Sequence, residues 1–153
     1  MTVEDRIRQL GLQLPQAPAR GGAYTPLKMF STKLVYASGF GSATADWALT
    51  GRLGAERTVE EGAKAAENCV LNMLAAYKRD IGELDTIKSF VKMLALVSSA
   101  NDFYQQPKVA DGATRLLTAI FGEEAGSPAR SAIGVNVLPG NIPVEIEALI
   151  ELK

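Results

Sequence analysis

The stretch from Thr58 to Gly82 constrains the fold more than any other part of the chain. Thr58 and Glu61 have the spacing of a capping box, which satisfies the free N–H groups at a helix start. Behind them Val59, Ala63, Ala66, Val70, Met73, Leu74 and Tyr77 recur at helical spacing, and the stripe ends near Asp80-Ile81-Gly82. A helix this one-sided must bury that stripe against another element. The neighbouring segments supply strands. Residues 23–30 and 33–40 read as two, with Ser31-Thr32 between them, and Leu34-Val35-Tyr36-Ala37 is a buried-strand run ending at Ser38-Gly39. Thr86 to Val97 reads as a third, with Val91, Met93, Ala95 and Val97 on one face and Lys88 and Lys92 on the other.

A second helix is expected over Ala113–Phe121, where Ala113, Leu116, Leu117, Ile120 and Phe121 repeat at three and four and Gly122 takes the C′ position. Gln105-Gln106-Pro107 interrupts the pattern before it. The chain then closes on an expected hairpin: Ser131–Leu138, a turn at Pro139-Gly140-Asn141, and Pro143–Leu152. At the start, Thr2 caps a short helix carrying Val3, Ile7 and Leu10 and closed by Gly11. Asp5 stands where a full capping box prefers Glu or Gln, so that box is expected to be partial. Residues 13–22 form a connector, and 41–57 a loop around Trp47. The order is β-β-α-β-α-β-β after the N-terminal helix. The fold class is α+β, with the helices on one face of the sheet. At 153 residues the chain suits a single domain over 1–153, in which 1–20 are the N-terminal helix and connector.

Composition excludes several chemistries. There is no histidine and one cysteine, so neither a Ser-His-Asp nor a Cys-His arrangement is possible, and no cysteine zinc site or internal disulfide. With 16 Lys+Arg against 17 Asp+Glu, the net charge of −1 gives no pull toward phosphate, so nucleic-acid binding is not expected. No stretch approaches the ~20 apolar residues of a membrane span. Met1–Leu12 lacks the basic start and apolar run of a leader, so the cytoplasm is the expected compartment. Catalysis must rest on carboxylates, arginine, lysine, tyrosine, backbone groups and water.

Arg130 is the first candidate. A guanidinium at a strand mouth beside small side chains offers a planar fork for a carboxylate. The ordinary alternative is a surface arginine paired with Glu123 or Glu124. Glu145 and Glu147 alternate with Val144, Ile146 and Ala148, so both acids face one side of the last strand. Burial there would raise a carboxyl pKa toward a base's task; the alternative is a solvated strand face. Cys69 sits beside the helix stripe and reads as a packed small hydrophobe. Trp47 covers a pocket or anchors its own loop, and Gly51-Arg52-Leu53-Gly54 is too short for a phosphate-cradling loop.

At Pro128-Ala-Arg-Ser-Ala-Ile-Gly-Val-Asn-Val-Leu-Pro139, followed by Val144-Glu-Ile-Glu147, the chain resembles the YjgF/RidA (reactive intermediate deaminase) family, in an extended branch. Tyr24, Ser38-Gly39, Thr50-Gly-Arg-Leu53, Asn68 and Asn101-Asp-Phe103 match in order, so the resemblance covers about residues 22 to 152. It implies a chorismate-mutase-like fold and a homotrimer with ligand clefts between subunits. It further implies cofactor- and metal-free hydrolysis of 2-imino or enamine acids to 2-keto acids and ammonia. On that resemblance Arg130 would grip the substrate carboxylate and Glu145 would activate water. Ser38 and Gly39 would line the cleft, and Tyr24 would cover it.

Two positions depart from the family pattern. Ala132 replaces a common cysteine in the pocket, and Asp111 stands where an asparagine is usual. Asp111 adds a negative charge that opposes carboxylate binding unless it faces away or pairs with Lys108 or Arg115. Both departures favour the alternative function, a trimer that binds a small carboxylate without turnover. Ribonuclease activity, a label the family also carries, ranks third, because the chain has no basic aromatic strip.

Overall fold

The computed structural model describes residues 1–153 and is built on one five-stranded sheet. In chain order the elements are α1 (Val3–Gln9), β1 (Leu27–Met29), β2 (Leu34–Gly41), α2 (Val59–Asp80), β3 (Ile87–Ser98), α3 (Gln106–Phe121), the single turn α4 (Glu123–Gly126), β4 (Ala129–Val135) and β5 (Val144–Leu152). The α+β class holds. Helix α2 starts at the Thr58–Glu61 capping box, both halves of which form. The box at Thr2 is also complete, since Asp5 accepts from the Thr2 N–H at 2.8 Å and its own N–H donates to Thr2 Oγ1. The shorter acid reaches because both groups lie in one exposed turn.

The strand order is β1-β2-β5-β3-β4, and this overturns the expected closing hairpin. Strand β5 inserts between β2 and β3, antiparallel to both, while β4 runs parallel to β3 at the edge. The turn at Pro139–Asn141 exists, with Gly140 and Asn141 at positive φ, but it carries the chain across β3 rather than back along β4. A central β5 explains its apolar alternation: Val144, Ile146, Ala148, Ile150 and Leu152 are all buried on the helix side. Three other boundaries move. The first strand shrinks from 23–30 to Leu27–Met29, and β4 spans Ala129–Val135 rather than reaching Leu138. Helix α3 begins at Gln106, because Pro107 sits in its first turn, where a missing N–H costs nothing. Val91 is exposed and Phe90 takes its place inside, since β3 bulges between Phe90 and Lys92.

Helices α2 and α3 cover one face of the sheet, and the core joins them to the inward residues of β1, β2, β3 and β5, with Ala132 of β4 partly buried at its margin. They approach closely at two glycines. A Cβ at Gly112 would lie 2.2 Å from the Ala63 carbonyl oxygen, and one at Gly62 would lie 3.0 Å from Val109 Cγ1. From Asn68 to Tyr77 α2 is buried all round, beyond its stripe. Leu12 and Leu14 of the connector pack on its outer side, and the Pro18 carbonyl accepts from Arg79. The opposite face of the sheet has no helix on it. It presents Tyr36, Leu94, Leu96, Ile133, Glu145, Glu147 and Leu149. No helix is long and apolar enough to cross a membrane.

Candidate functional site

Strand parity decides where the two principal candidates point. Val144 and Ile146 are fully buried under the helices, so Glu145 between them faces the uncovered side of the sheet. There β2 bulges. Ala37 pairs with Ala148 and Phe40 with Ile146, so Ser38 and Gly39 together fill one outward step. Gly39 gives Glu145 its room, because a Cβ there would overlap the carboxylate. Glu145 is half-buried and accepts no hydrogen bond from the protein. Burial first, and then the charge of Glu147, raise its pKa above the usual 4.5. Each effect disfavours the ionised form and makes it a stronger base once ionised.

Beside this bulge lies a cleft of about 190 Å³ whose lining includes Tyr24, Ser38, Gly39, Asn72 and Ile142. Tyr24 is 44% exposed at its mouth. Ser38 uses both its N–H and its hydroxyl on the Pro26 carbonyl, at 2.8 and 3.0 Å, which ties the bulge to the entry of β1. Asn72 escaped the sequence reading. Its amide donates to the carbonyls of Gly41 and Ala43 at 2.9 and 2.8 Å and fixes the rim. Its position inside a buried helix stretch was the only signal available.

Arg130 lies elsewhere. It faces the helix side of β4, as does Ala132, which packs against the core. Its partner is neither Glu123 nor Glu124. Nη1 donates to Asp111 Oδ1 and to Thr114 Oγ1, both at 3.0 Å, and Nη2 donates to the Pro107 carbonyl at 3.3 Å. Asp111 also faces Arg115 at 3.8 Å, while Lys108 bonds Gln105 instead. The side chain of Arg130 is 19% exposed. Of its five N–H donors three are engaged, leaving two for a ligand. Thr114, one helical turn after Asp111, was legible from spacing once Asp111 was singled out.

The seven sequence candidates thus form two groups: Tyr24, Ser38, Gly39 and Glu145 around the bulge, and Arg130, Ala132 and Asp111 under the far edge. Arg130 pairs across β3 through Met93 to Ala148, three residues along from Glu145. Strand spacing and rise then separate the two backbones by about 14 Å, with the side chains on opposite faces. Cys69 is buried, and burial together with Glu145 pushes its thiol well above the ordinary range, so it is no nucleophile. No three Cys, Asp or Glu side chains converge to hold a metal ion.

Comparison with known proteins gives concordant matches. The family described as "YjgF/chorismate mutase-like, putative endoribonuclease" matches residues 4–152. Protein TCP17 of Trypanosoma cruzi is 37% identical over 151 residues, covering 99% of this chain and 94% of its own. The crystal structure of Atu1372 from Agrobacterium tumefaciens, a protein of unknown function, superposes with a TM-score of 0.89 at 35% identity, covering 99% of this chain and 92% of that one. That of a "putative endoribonuclease" from Shewanella oneidensis superposes with a TM-score of 0.93 at 33% identity, covering 99% and 100%.

Proposed function

The chain belongs to the YjgF family, and from that premise we propose that it hydrolyses 2-imino or enamine acids to 2-keto acids and ammonia. The observation that carries this reading is Glu145: a half-buried carboxylate of raised pKa, held over a glycine, with no protein donor on its oxygens. Such a group is suited to take a proton from a water molecule. The water oxygen bonds to the imine carbon, the nitrogen takes up protons, and as the C–N bond breaks the remaining O–H proton is lost, leaving the 2-keto acid C=O and ammonium. Arg130 supplies the grip, with its two remaining donors on the substrate carboxylate. An imine is already electrophilic, so holding it beside one oriented water supplies most of the rate.

Arg130 and Glu145 sit on opposite faces of one sheet, so the proposed site needs more than one copy of the chain. A trimer in which the β4 edge of one copy meets the uncovered sheet face of the next would meet this requirement. Leu94, Leu96, Ile133 and Leu149 make that face apolar enough to favour association. A second reading, a trimer that binds a small carboxylate without turnover, is favoured by one contact, the Asp111–Arg130 pair, which partly satisfies the grip already. The ribonuclease label in the family description finds little support here, given a net charge of −1 and no histidine.

The test is a coupled assay in which a pyridoxal-phosphate dehydratase or an amino-acid oxidase generates imines in situ. Accelerated 2-keto acid release that is lost in both Arg130→Ala and Glu145→Gln is the expected result. Binding without acceleration would move the assignment to the second reading. A monomer in sedimentation would remove the composite site altogether.

A further inference from the structure

Asn68 is the polar group of α2 that the fold leaves unused. It lies one turn before Asn72, on the same side of the helix. Asn72 commits its amide to the carbonyls of Gly41 and Ala43. The Asn68 amide makes no hydrogen bond in the chain, although the residue is only 5% exposed. Asparagine is also a poorer helix former than the alanines around it. A buried amide is costly to keep unless something polar reaches it.

Asn68 opens on a cavity of about 270 Å³ between α2, the connector and the loop around Trp47. Leu12, Leu14, Leu71 and Trp47 give it apolar walls, and Trp47 is half-buried there against the core. Of the two sequence readings of Trp47, the cover over a pocket is the one this placement favours. The charges at the rim are Lys64 and Asp46, one of each sign, and Glu67 holds the lysine at 3.0 Å. The cavity shares no lining residue with the cleft beside Glu145. It lies on the outer side of α2, away from the uncovered sheet face.

We infer that this cavity is a second binding site, for a planar nitrogen heterocycle of the adenine type, with an amino group beside a ring nitrogen. An asparagine amide is complementary to that edge. Its oxygen accepts from the amino group while its N–H donates to the ring nitrogen. The indole of Trp47 offers a face for the ring to stack on, and the leucines keep water from the paired edge. A rim without net charge suits an uncharged ring. The inference stands apart from the imine chemistry proposed above, because it uses none of the same residues.

Trp47 is the single tryptophan of the chain, so its emission reports on this cavity. Adenine is titrated into wild type with tryptophan fluorescence as the first readout and ligand-observed NMR as the second. Saturable binding is expected. Purine, which keeps the rings and lacks the amino group, should bind about tenfold more weakly, the scale of a hydrogen bond lost from a bidentate pair. Asn68→Ala should bring the adenine-to-purine ratio near one. Asn68→Ser, too short to span the edge, reports the same ratio should the alanine variant fold poorly. Adenosine and AMP, titrated alongside, carry the same ring, and the tightest of the three names the form the site takes. Saturation by none of them in either readout overturns the inference. Equal binding of adenine and purine to wild type leaves only stacking on an indole and overturns it too, as does a ratio that survives in the Asn68 variants.

Discussion

A Cβ at position 39 would lie 1.9 Å from Glu145 Oε1 and 2.8 Å from its Cδ, so the carboxylate occupies space that only a glycine leaves open. The backbone at Gly39 has no positive φ. Its glycine is required by a neighbour and not by a turn. Gly39→Ala should therefore leave the fold nearly intact, because the obstructed atoms are the end of a flexible side chain. It should displace the carboxylate and, on the proposed function, lower turnover about tenfold or more. Thermal unfolding and the coupled assay, run on one preparation, check the two halves separately.

On the proposed function Glu145→Gln removes the base and should reduce turnover about a hundredfold or more. Its effect on stability has a definite sign. The folded state raises the pKa of Glu145, so folding favours its protonated form, and that contribution is present below the ordinary carboxylate value near 4.5 and lost as pH rises through the folded pKa. At neutral pH the glutamine variant should be the more stable of the two, and the difference should shrink as pH falls below that window. A denaturation series across pH would refute this if the variant were less stable throughout.

Arg130→Lys is not a conservative change here. An ammonium cannot hold Asp111, Thr114 and the Pro107 carbonyl in one plane and still offer two parallel donors to a ligand. We expect a loss of about 1–2 kcal/mol in stability, from hydrogen bonds to a mostly buried charged group. Activity should fall with it, and equilibrium unfolding together with the imine assay would show both.

Gly112→Ala sets helix propensity against packing. Alanine gains about 1 kcal/mol as a helix former, but its Cβ would lie 2.2 Å from the Ala63 carbonyl oxygen and 2.8 Å from that carbonyl carbon, which are backbone atoms. Forcing two packed helices apart costs more than the propensity returns. A net destabilisation of about 2 kcal/mol is expected, read as a drop in denaturation midpoint. A midpoint unchanged or raised would mean that α2 and α3 do not pack this closely.

Cys69 should resist thiol reagents in the native protein and react fully after unfolding. Its thiol is buried, within 3.4 Å of the Val144 carbonyl, and its raised pKa leaves little thiolate. Reaction with a chromogenic disulfide in the absence and presence of denaturant decides this.

The sequence by itself located the main helices and strands and, away from the bulges, the face each side chain takes. Helical spacing and the Thr58–Glu61 box located α2, and period-two alternation placed Glu145 and Glu147 on the face opposite Val144 and Ile146. The motif around Arg130 and the closing Val-Glu-Ile-Glu identified the family. These features are local, because they depend on residues a few positions apart and on the fixed periods of helix and strand. Only the tertiary structure decided which strands are neighbours. Strand pairing is made by backbone groups common to all residues, so nothing in Ala129–Val135 says that its partner is β3, or that β5 lies between β2 and β3. That ordering puts Arg130 beneath α3 with Asp111 and Thr114, and Glu145 over Gly39 on the other side. Even the bulge at Ser38-Gly39 depends on it, since one extra residue in β2 has meaning only against the strand it faces.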